Sequence, residues 1–186
     1  MGKIKWKGGT LLAPVPAVMV TCGDMEKPNI ITVAWTGIIC SDPPKTYVSI
    51  RPERYSYNII KEKGEFAINL TTTNLKRATD LCGVKSGAKI DKFKAAKLTP
   101  EKANEVSCPI IGESPLSLEC KVTDIIHLGS HDMFVADIVA VDVDEKLINE
   151  NGKLNLSKAG LMAYAHGGYY ELGKKIGSFG FSVKKK

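Results

Sequence analysis

Two long alternating runs in the second half of the chain restrict its fold more than any other feature. In the first, Leu116, Leu118, Cys120 and Val122 alternate with Ser117, Glu119, Lys121 and Thr123. In the second, Met133, Val135, Val139, Val141 and Val143 share one side. Residues two apart lie on one face of a β-strand, so both runs read as strands, the first half-buried. The link HLGSHD is short and contains glycine, which makes the pair an antiparallel hairpin. Helical patterns are few and short. One runs from Glu53 to Lys63, with Ile59 and Ile60 inward and Gly64 at its end. Another runs from Leu75 to Cys82, with Asn74 as N-cap and Gly83 as its stop. The chain thus predicts a mainly β fold, an antiparallel barrel with helices packed outside it.

The rest is read around these elements. Leu11 to Thr21 is a strand interrupted by Pro14 and Pro16, and Glu65 to Leu70 is a short strand. Lys89 to Lys97 reads as loop or short helix, and Thr99-Pro100-Glu101 as the opening of a further helix. The aromatic, glycine-broken segment after Leu161 has no regular pattern and reads as a cover over a ligand, a neighbouring subunit or the barrel itself.

Asn29 to Asn58, NIITVAWTGIICSDPPKTYVSIRPERYSYN, carries the chemical signal. It reads as two strands separated by a Pro-Pro turn and followed by a helix start. Ile31, Val33, Trp35, Gly37 and Ile39 share one face of the first strand. Thr32, Ala34, Thr36 and Cys40 make a small, polar opposite face. Arg51 then meets a helix start bearing Tyr55, Ser56 and Tyr57, where free N–H groups and a guanidinium favour a phosphate. The stretch points to a flat, phosphate-bearing ligand laid along the strands. Plainer readings stand beside this one: Trp35 as core, Arg51 as exposed surface, Asn29 as a turn residue, Lys92 as a solvated charge and Cys40 as a small buried hydrophobe.

At 186 residues, one domain spanning 1–186 is expected. The formal charge of +6 raises nucleic acid as a partner, but Lys3, Lys5, Lys7 and Lys184 to Lys186 carry much of it near the ends, which disfavours that reading. The longest apolar run, LLAPVPAVMV, is short and holds two prolines, so neither secretion nor membrane insertion is expected. Five scattered cysteines with no CxxC spacing suggest reduced thiols in the cytoplasm. No triad, phosphate loop or HExxH is present. His127 and His131 lack a neighbouring Cys or carboxylate cluster, so no metal site is assigned. His166 reads as a partly exposed loop residue.

Taken together, NIITVAWTGIICSDPPKTYVSIRPERYSYNIIKEKGEFAINL and the later Gly129-Ser130-His131 resemble the flavin reductase-like, FMN-binding split-barrel proteins of the flavoredoxin and ferric-reductase type. The likeness covers about Leu11 to Glu145. It implies a six-stranded antiparallel split barrel of Greek-key type that forms a homodimer with FMN near the interface. It also implies an oxidoreductase passing electrons from NAD(P)H or a redox partner through FMN to flavin, ferric iron or an electron-transfer protein. Carried over by position, Asn29, Thr32, Ala34, Trp35 and Thr36 line the ring and ribityl chain. Ser49, Ile50, Arg51 and Ser56 hold the phosphate region, with Tyr55 close by. Asn69 and Thr71 add polar contacts, and Lys92, His131 and Tyr164 approach from the remaining side. His131 is the one candidate for a catalytic role. The alternative from another class is a non-catalytic module that binds flavin or another phosphate ligand.

Overall fold

The strands follow in the order β1 (Val15–Pro16), β2 (Val18–Cys22), β3 (Asn29–Val33), β4 (Thr36–Ser41), β5 (Pro44–Ile50), β6 (Glu65–Asn69), β7 (Pro100–Glu101), β8 (Ile110–Ile111), β9 (Leu116–His127), β10 (Asp132–Val143), β11 (Met162–Ala165) and β12 (Gly168–Glu171). Among the described residues three α-helices intervene: α1 (Tyr55–Lys63), α2 (Lys76–Val84) and α3 (Lys92–Ala96). This computed structural model describes residues 2–183, so Met1 and Lys184, Lys185 and Lys186 lie outside the described residues.

The main sheet is antiparallel and has seven strands in the order β3-β2-β6-β9-β10-β5-β4. The stretch Asn29 to Cys40, expected as one strand, breaks at Ala34-Trp35 into β3 and β4, which become the two outer strands. That break accounts for the strand beyond the expected six. It also forces the sheet to curl. Val33 to Thr36 spans at most about 11 Å of chain. In a flat sheet the outer strands would lie about 29 Å apart. The two edges must therefore approach each other, which brings Ile31 and Val33 of β3 into one core with Val48 and Ile50 of β5. The Ser49 N–H, donating to the Trp35 carbonyl at 2.8 Å, carries the β4–β5 ladder up to the break. The result is a split barrel with helices outside.

Val18, Val20, Ile31, Val33, Val48, Ile50, Phe66, Ile68 and Phe134 pack in one core with Tyr57 and Ile60 of α1. Met19 and Ile30, on the opposite faces of β2 and β3, pack with Leu75, Ala78 and Cys82 of the α2 region and Phe93 of α3. Both faces of β2 are thus covered, and all five of its residues are buried. The α1 helix ends as expected on Gly64, whose φ of 69° suits glycine and whose N–H reaches the Ile60 carbonyl.

Several expectations change. Asn74 lies inside a 3-10 turn (Thr73–Leu75) and is not a cap, and α2 passes through Gly83 to Val84. Thr99-Pro100-Glu101 opens no helix; Pro100–Glu101 is β7. The five positions assigned to one face of β10 do not make one. Two register shifts occur against β9. The first leaves Thr123 of β9 as the extra residue; the second, between Ile138 and Ala140, leaves Val139 of β10 as the extra residue and so breaks the alternation of β10. Phe134 and Ala136 are buried while Val139 and Val141 are exposed. The segment after Leu161 is regular only in its first part, where β11 and β12 form a hairpin that pairs with β1, while residues 172–180 are irregular as expected. Its turn residues, His166 and Gly167, have φ of 51° and 89°, the positive values that a two-residue hairpin turn requires.

On β9 the polar partners Ser117 and Glu119 are buried too. Glu119 accepts from the N–H groups of Asn104, Glu105 and Val106 at 2.8, 2.6 and 3.0 Å, fastening the loop before β8 to the barrel. Burial works to raise its carboxyl, yet these N–H groups hold it below its ordinary 4.5. Beside it, Asp142 accepts from Asn104 Nδ2 at 2.7 Å through Oδ1, while its buried Oδ2 has no hydrogen-bond partner among the described residues. Burial and the neighbouring Glu119 push Asp142 up to about 6 from 3.8, and a proton on Oδ2 gives that atom a donor role towards Glu119. The folded state holds this proton more tightly than the unfolded chain does. Asp142 therefore stabilises fully below 3.8, and the contribution is lost as the pH rises through about 6. Asp142→Asn, which keeps a donor at all pH values, should raise stability by on the order of 1 kcal/mol at about pH 8 and leave it unchanged at about pH 4. Thermal unfolding at the two pH values checks this; an equal effect at both would refute the shared proton.

Candidate functional site at the barrel seam

Three connected recesses run along the seam. The middle one, of about 460 Å³, is bounded by Thr32, Val33, Ala34 and Trp35, by Ser49, Ile50 and Arg51 at the end of β5, and by Arg54. Asp80, Gly83 and Val84 of α2, His131 of the β9–β10 link, and Tyr164, Gly167 and Tyr169 of the β11–β12 hairpin complete it. A second recess of about 400 Å³ shares Ile31, Arg51, Arg54 and Gly83 with it and adds Tyr55, Ser56, Lys85, Ser86, Gly87 and Lys92. A third, of about 590 Å³, shares Ala34, Trp35, Tyr164 and Gly167 and adds Leu11, Val15, Thr36, Tyr47 and His166.

The seam places Trp35 in all this. Its side chain is 43% exposed, so it is not a core residue as alternation suggested. Its ring lies parallel to that of His131, 6.2 Å between centroids and 4° between planes, an offset stack. Thr32 and Thr36 fall on either side of the break. Thr32 Oγ1 donates to the Thr79 carbonyl of α2 at 2.5 Å, and Thr36 Oγ1 to the Tyr47 carbonyl at 2.6 Å. Gly83 lets α2 come this close, since a Cβ there would sit 3.3 Å from Thr32 Cβ.

The second recess is the cationic end. The α1 helix begins after Arg54 with no side-chain cap and no acidic residue in its first turn. The Tyr57 N–H donates to the Arg54 carbonyl at 2.9 Å, which leaves those of Tyr55 and Ser56 available to a ligand. Arg51 is exposed and holds Glu53 at 3.3 Å. Lys92 corrects the reading of a solvated charge: it is buried, and its Nζ donates to the carbonyls of Ile30 and Cys82 at 2.6 and 2.8 Å. Burial draws its ammonium below 10.5, opposed by the Cys82 and Cys22 thiols and helped by Arg54. Asn29 is also buried, with Nδ2 donating to Ser56 Oγ at 2.7 Å; it backs the recess from within. A Cβ on Gly87 would lie 1.9 Å from Asn29 Oδ1, so only glycine permits the loop after α2 to close there.

Beside the middle recess the β9–β10 link is tied down from both sides. Asp132 Oδ2 accepts from Tyr57 Oη at 2.6 Å and lies 2.9 Å from His127 Nδ1. The Tyr57 hydrogen bond, then that of His127, holds the Asp132 carboxyl below 3.8. His127 and His131 thus face different partners, the latter with Nδ1 3.0 Å from Ser130 Oγ.

Of the fifteen positions carried over by resemblance, twelve border these recesses and Asn29 stands just behind them. Asn69 and Thr71 lie elsewhere. Asn69 is wholly buried, donating to the Met19 carbonyl at 3.0 Å and accepting from Ile111 N and Ser117 Oγ at 2.9 and 2.7 Å. Thr71 Oγ1 donates to the Ala17 carbonyl. Both spend their polar groups inside the fold. Sequence reasoning missed Arg54, Lys85, Gly87, Asp80 and Tyr169. Arg54 was visible in PERYSYN, three residues beyond Arg51, and CGVKSG carried two glycines beside lysine and serine; Asp80 and Tyr169 carried no signal.

Comparison with known proteins agrees with this geometry. The chain superposes on the flavoredoxin of Desulfovibrio vulgaris (Miyazaki F) with a TM-score of 0.90 and 34% identity, covering 99% of this chain and 100% of that one. For flavoredoxin from Methanosarcina acetivorans the values are 0.88 and 25%, with 99% and 100% covered. A NADPH-flavin oxidoreductase of Streptomyces viridifaciens is 25% identical over 153 residues, 80% of this chain and 78% of its own length. Among the described residues no helix is long and apolar enough to cross a membrane. The family model "Flavin reductase like domain" matches residues 11–173, and the chain belongs to that family.

Proposed function

We propose that the chain is an FMN-binding oxidoreductase that passes electrons from NAD(P)H or a redox partner to a small acceptor. One observation carries this reading: an uncapped helix start flanked by Arg51, Arg54 and Lys92, joined without interruption to a cavity walled by small residues and Trp35. The first part suits a phosphate dianion and the second a flat ring system. The names of the relatives, flavoredoxin and NADPH-flavin oxidoreductase, point the same way. Bound FMN would supply the electron chemistry itself, so an acid–base triad is not required.

The protein's own groups then hold and orient. The α1 N–H groups, Arg51 and Arg54 take the phosphate, with Lys92 adding charge from beneath. Thr32, Ala34 and Gly83 keep one wall thin enough for close backbone approach. His131, braced by Ser130 and Trp35, is the group placed to hold or move a proton at the ring through its Nε2. The buried thiols take no part: burial pushes Cys22 and Cys82 up to about 11, which keeps both protonated at neutral pH. Free thiols throughout fit a reducing cytoplasm. We also propose a homodimer, on the ground that Ile38 and Ile39 of the outer strand β4 and Val141 of β10 are exposed at 66%, 48% and 52%. Sedimentation showing only a monomer would remove that part.

The purified protein should be yellow, or become so with added FMN, and NADH and NADPH should bleach it at different rates; a protein that never takes up FMN ends this reading. Replacing Arg51 and Arg54 together by alanine should weaken FMN at least about tenfold while leaving riboflavin, which lacks the phosphate, unaffected. An equal loss for both ligands would show that the arginines do not meet the phosphate. Asp132→Asn should lower kcat about tenfold with little change in KM, because it loosens the link that presents His131. If kcat stays at the wild-type value, His131 does not depend on that clamp.

A further inference from the structure

The third recess is chemically unlike the two assigned to the cofactor. Those two carry Arg51, Arg54, Lys85 and Lys92. The third, larger at about 590 Å³, is bordered by no Lys, Arg, Asp or Glu among the described residues. Its walls are aliphatic and aromatic, chiefly Leu11, Val15, Trp35, Tyr47 and Tyr164. They come from separate parts of the chain: the segment ahead of β1, the seam, β5 and the β11–β12 turn. Pairing of Val15 with Tyr164 across β1 and β11 holds two of these parts in register. Tyr164 is further braced edge-on by Tyr169, with ring centroids 5.6 Å apart. Ala34, Trp35, Tyr164 and Gly167 border both this recess and the middle one, so an occupant here abuts whatever fills the flavin's place.

We propose that this recess seats the electron acceptor, and that the acceptor is an uncharged planar ring with a conjugated carbonyl, of the quinone class. The inference rests on the reading of the middle recess as the flavin's bed. A charged occupant would leave water here and meet no opposite charge, which is costly. A flat neutral ring loses little hydration and gains the aromatic walls. The Tyr47 and Tyr164 hydroxyls and the His166 ring are groups able to donate to a carbonyl. Free FMN and ferric chelates carry charge and are poor occupants of this place. The overall step balances with the donor already proposed. NAD(P)H gives up two electrons and one proton as hydride equivalent, solvent supplies a second proton, and the quinone leaves as hydroquinone while NAD(P)⁺ is released.

The test uses the full chain with Trp6→Phe, which leaves Trp35 as the sole tryptophan reporter. Menadione and a naphthoquinone sulfonate are titrated against FMN-free and FMN-loaded protein while Trp35 fluorescence is followed. Menadione should quench saturably in both forms, and the sulfonate should bind at least about tenfold more weakly. Leu11→Asp, at a position 56% exposed in an irregular segment, should weaken menadione about tenfold and leave FMN retention unchanged. Equal affinities for the two quinones, absence of saturable quenching, or indifference to Leu11→Asp would each overturn the proposal. Failure to retain FMN with quinone selectivity intact counts against the cofactor reading alone. Retained FMN without quinone selectivity counts against this recess alone.

Discussion

Everything in this structure depends on how little chain separates β3 from β4. Strands at opposite edges of a seven-stranded sheet are joined through Ala34 and Trp35 alone, so the sheet has no choice but to bring its edges together. Closure creates the interior that Phe66, Phe134 and the β2 and β3 valines fill. It also leaves a fissure where the last strand hydrogen bonds stop. The three recesses follow that fissure, and each element bordering it, from the α1 start to the β11–β12 turn, gains its position from the closure.

Along the fissure the chemistry changes steadily. At one end are cations and an uncapped helix start; in the middle are small residues, Trp35 and His131; at the other end there is no Lys, Arg, Asp or Glu among the described residues. Burying Lys92 is expensive for the fold, and two main-chain carbonyls offset part of that cost. The charge held there lies beneath a recess that also carries Arg51, Arg54 and Lys85. Asn29 serves from behind the wall: by holding Ser56 and leaving room only for Gly87, it sets the distance between α1 and the loop after α2.

Much of the β framework was legible because alternation survives wherever one face of a strand meets the core. The strands around Leu116 to Thr123 and Glu65 to Asn69, and helix α1 with its Gly64 stop, appear close to their expected places. The break at Ala34-Trp35 was not legible. No glycine or proline marks it, and the alternation runs through it undisturbed, so Trp35 read as core when it is a wall. Ser117 and Glu119 looked solvated because polar alternation cannot distinguish water from a buried loop whose N–H groups need acceptors. Lys92 hid for the same reason, since the carbonyls of Ile30 and Cys82 that receive it are distant in the chain. Asn69 shows the reverse case: an asparagine carried over as a ligand contact proved to be an internal tie between strands.

The seam between β3 and β5 also has a meaning in time. A ladder resists opening because many bonds must break together, whereas β3 and β5 meet by side-chain packing and are not paired strands, so they can part without breaking a ladder. Breathing at this place widens the fissure from the cationic end to the neutral end. Entry and escape of anything held there then follow the rhythm of the seam. A ligand spanning β3 and β5 acts in turn as a clasp, slowing the motion that would release it.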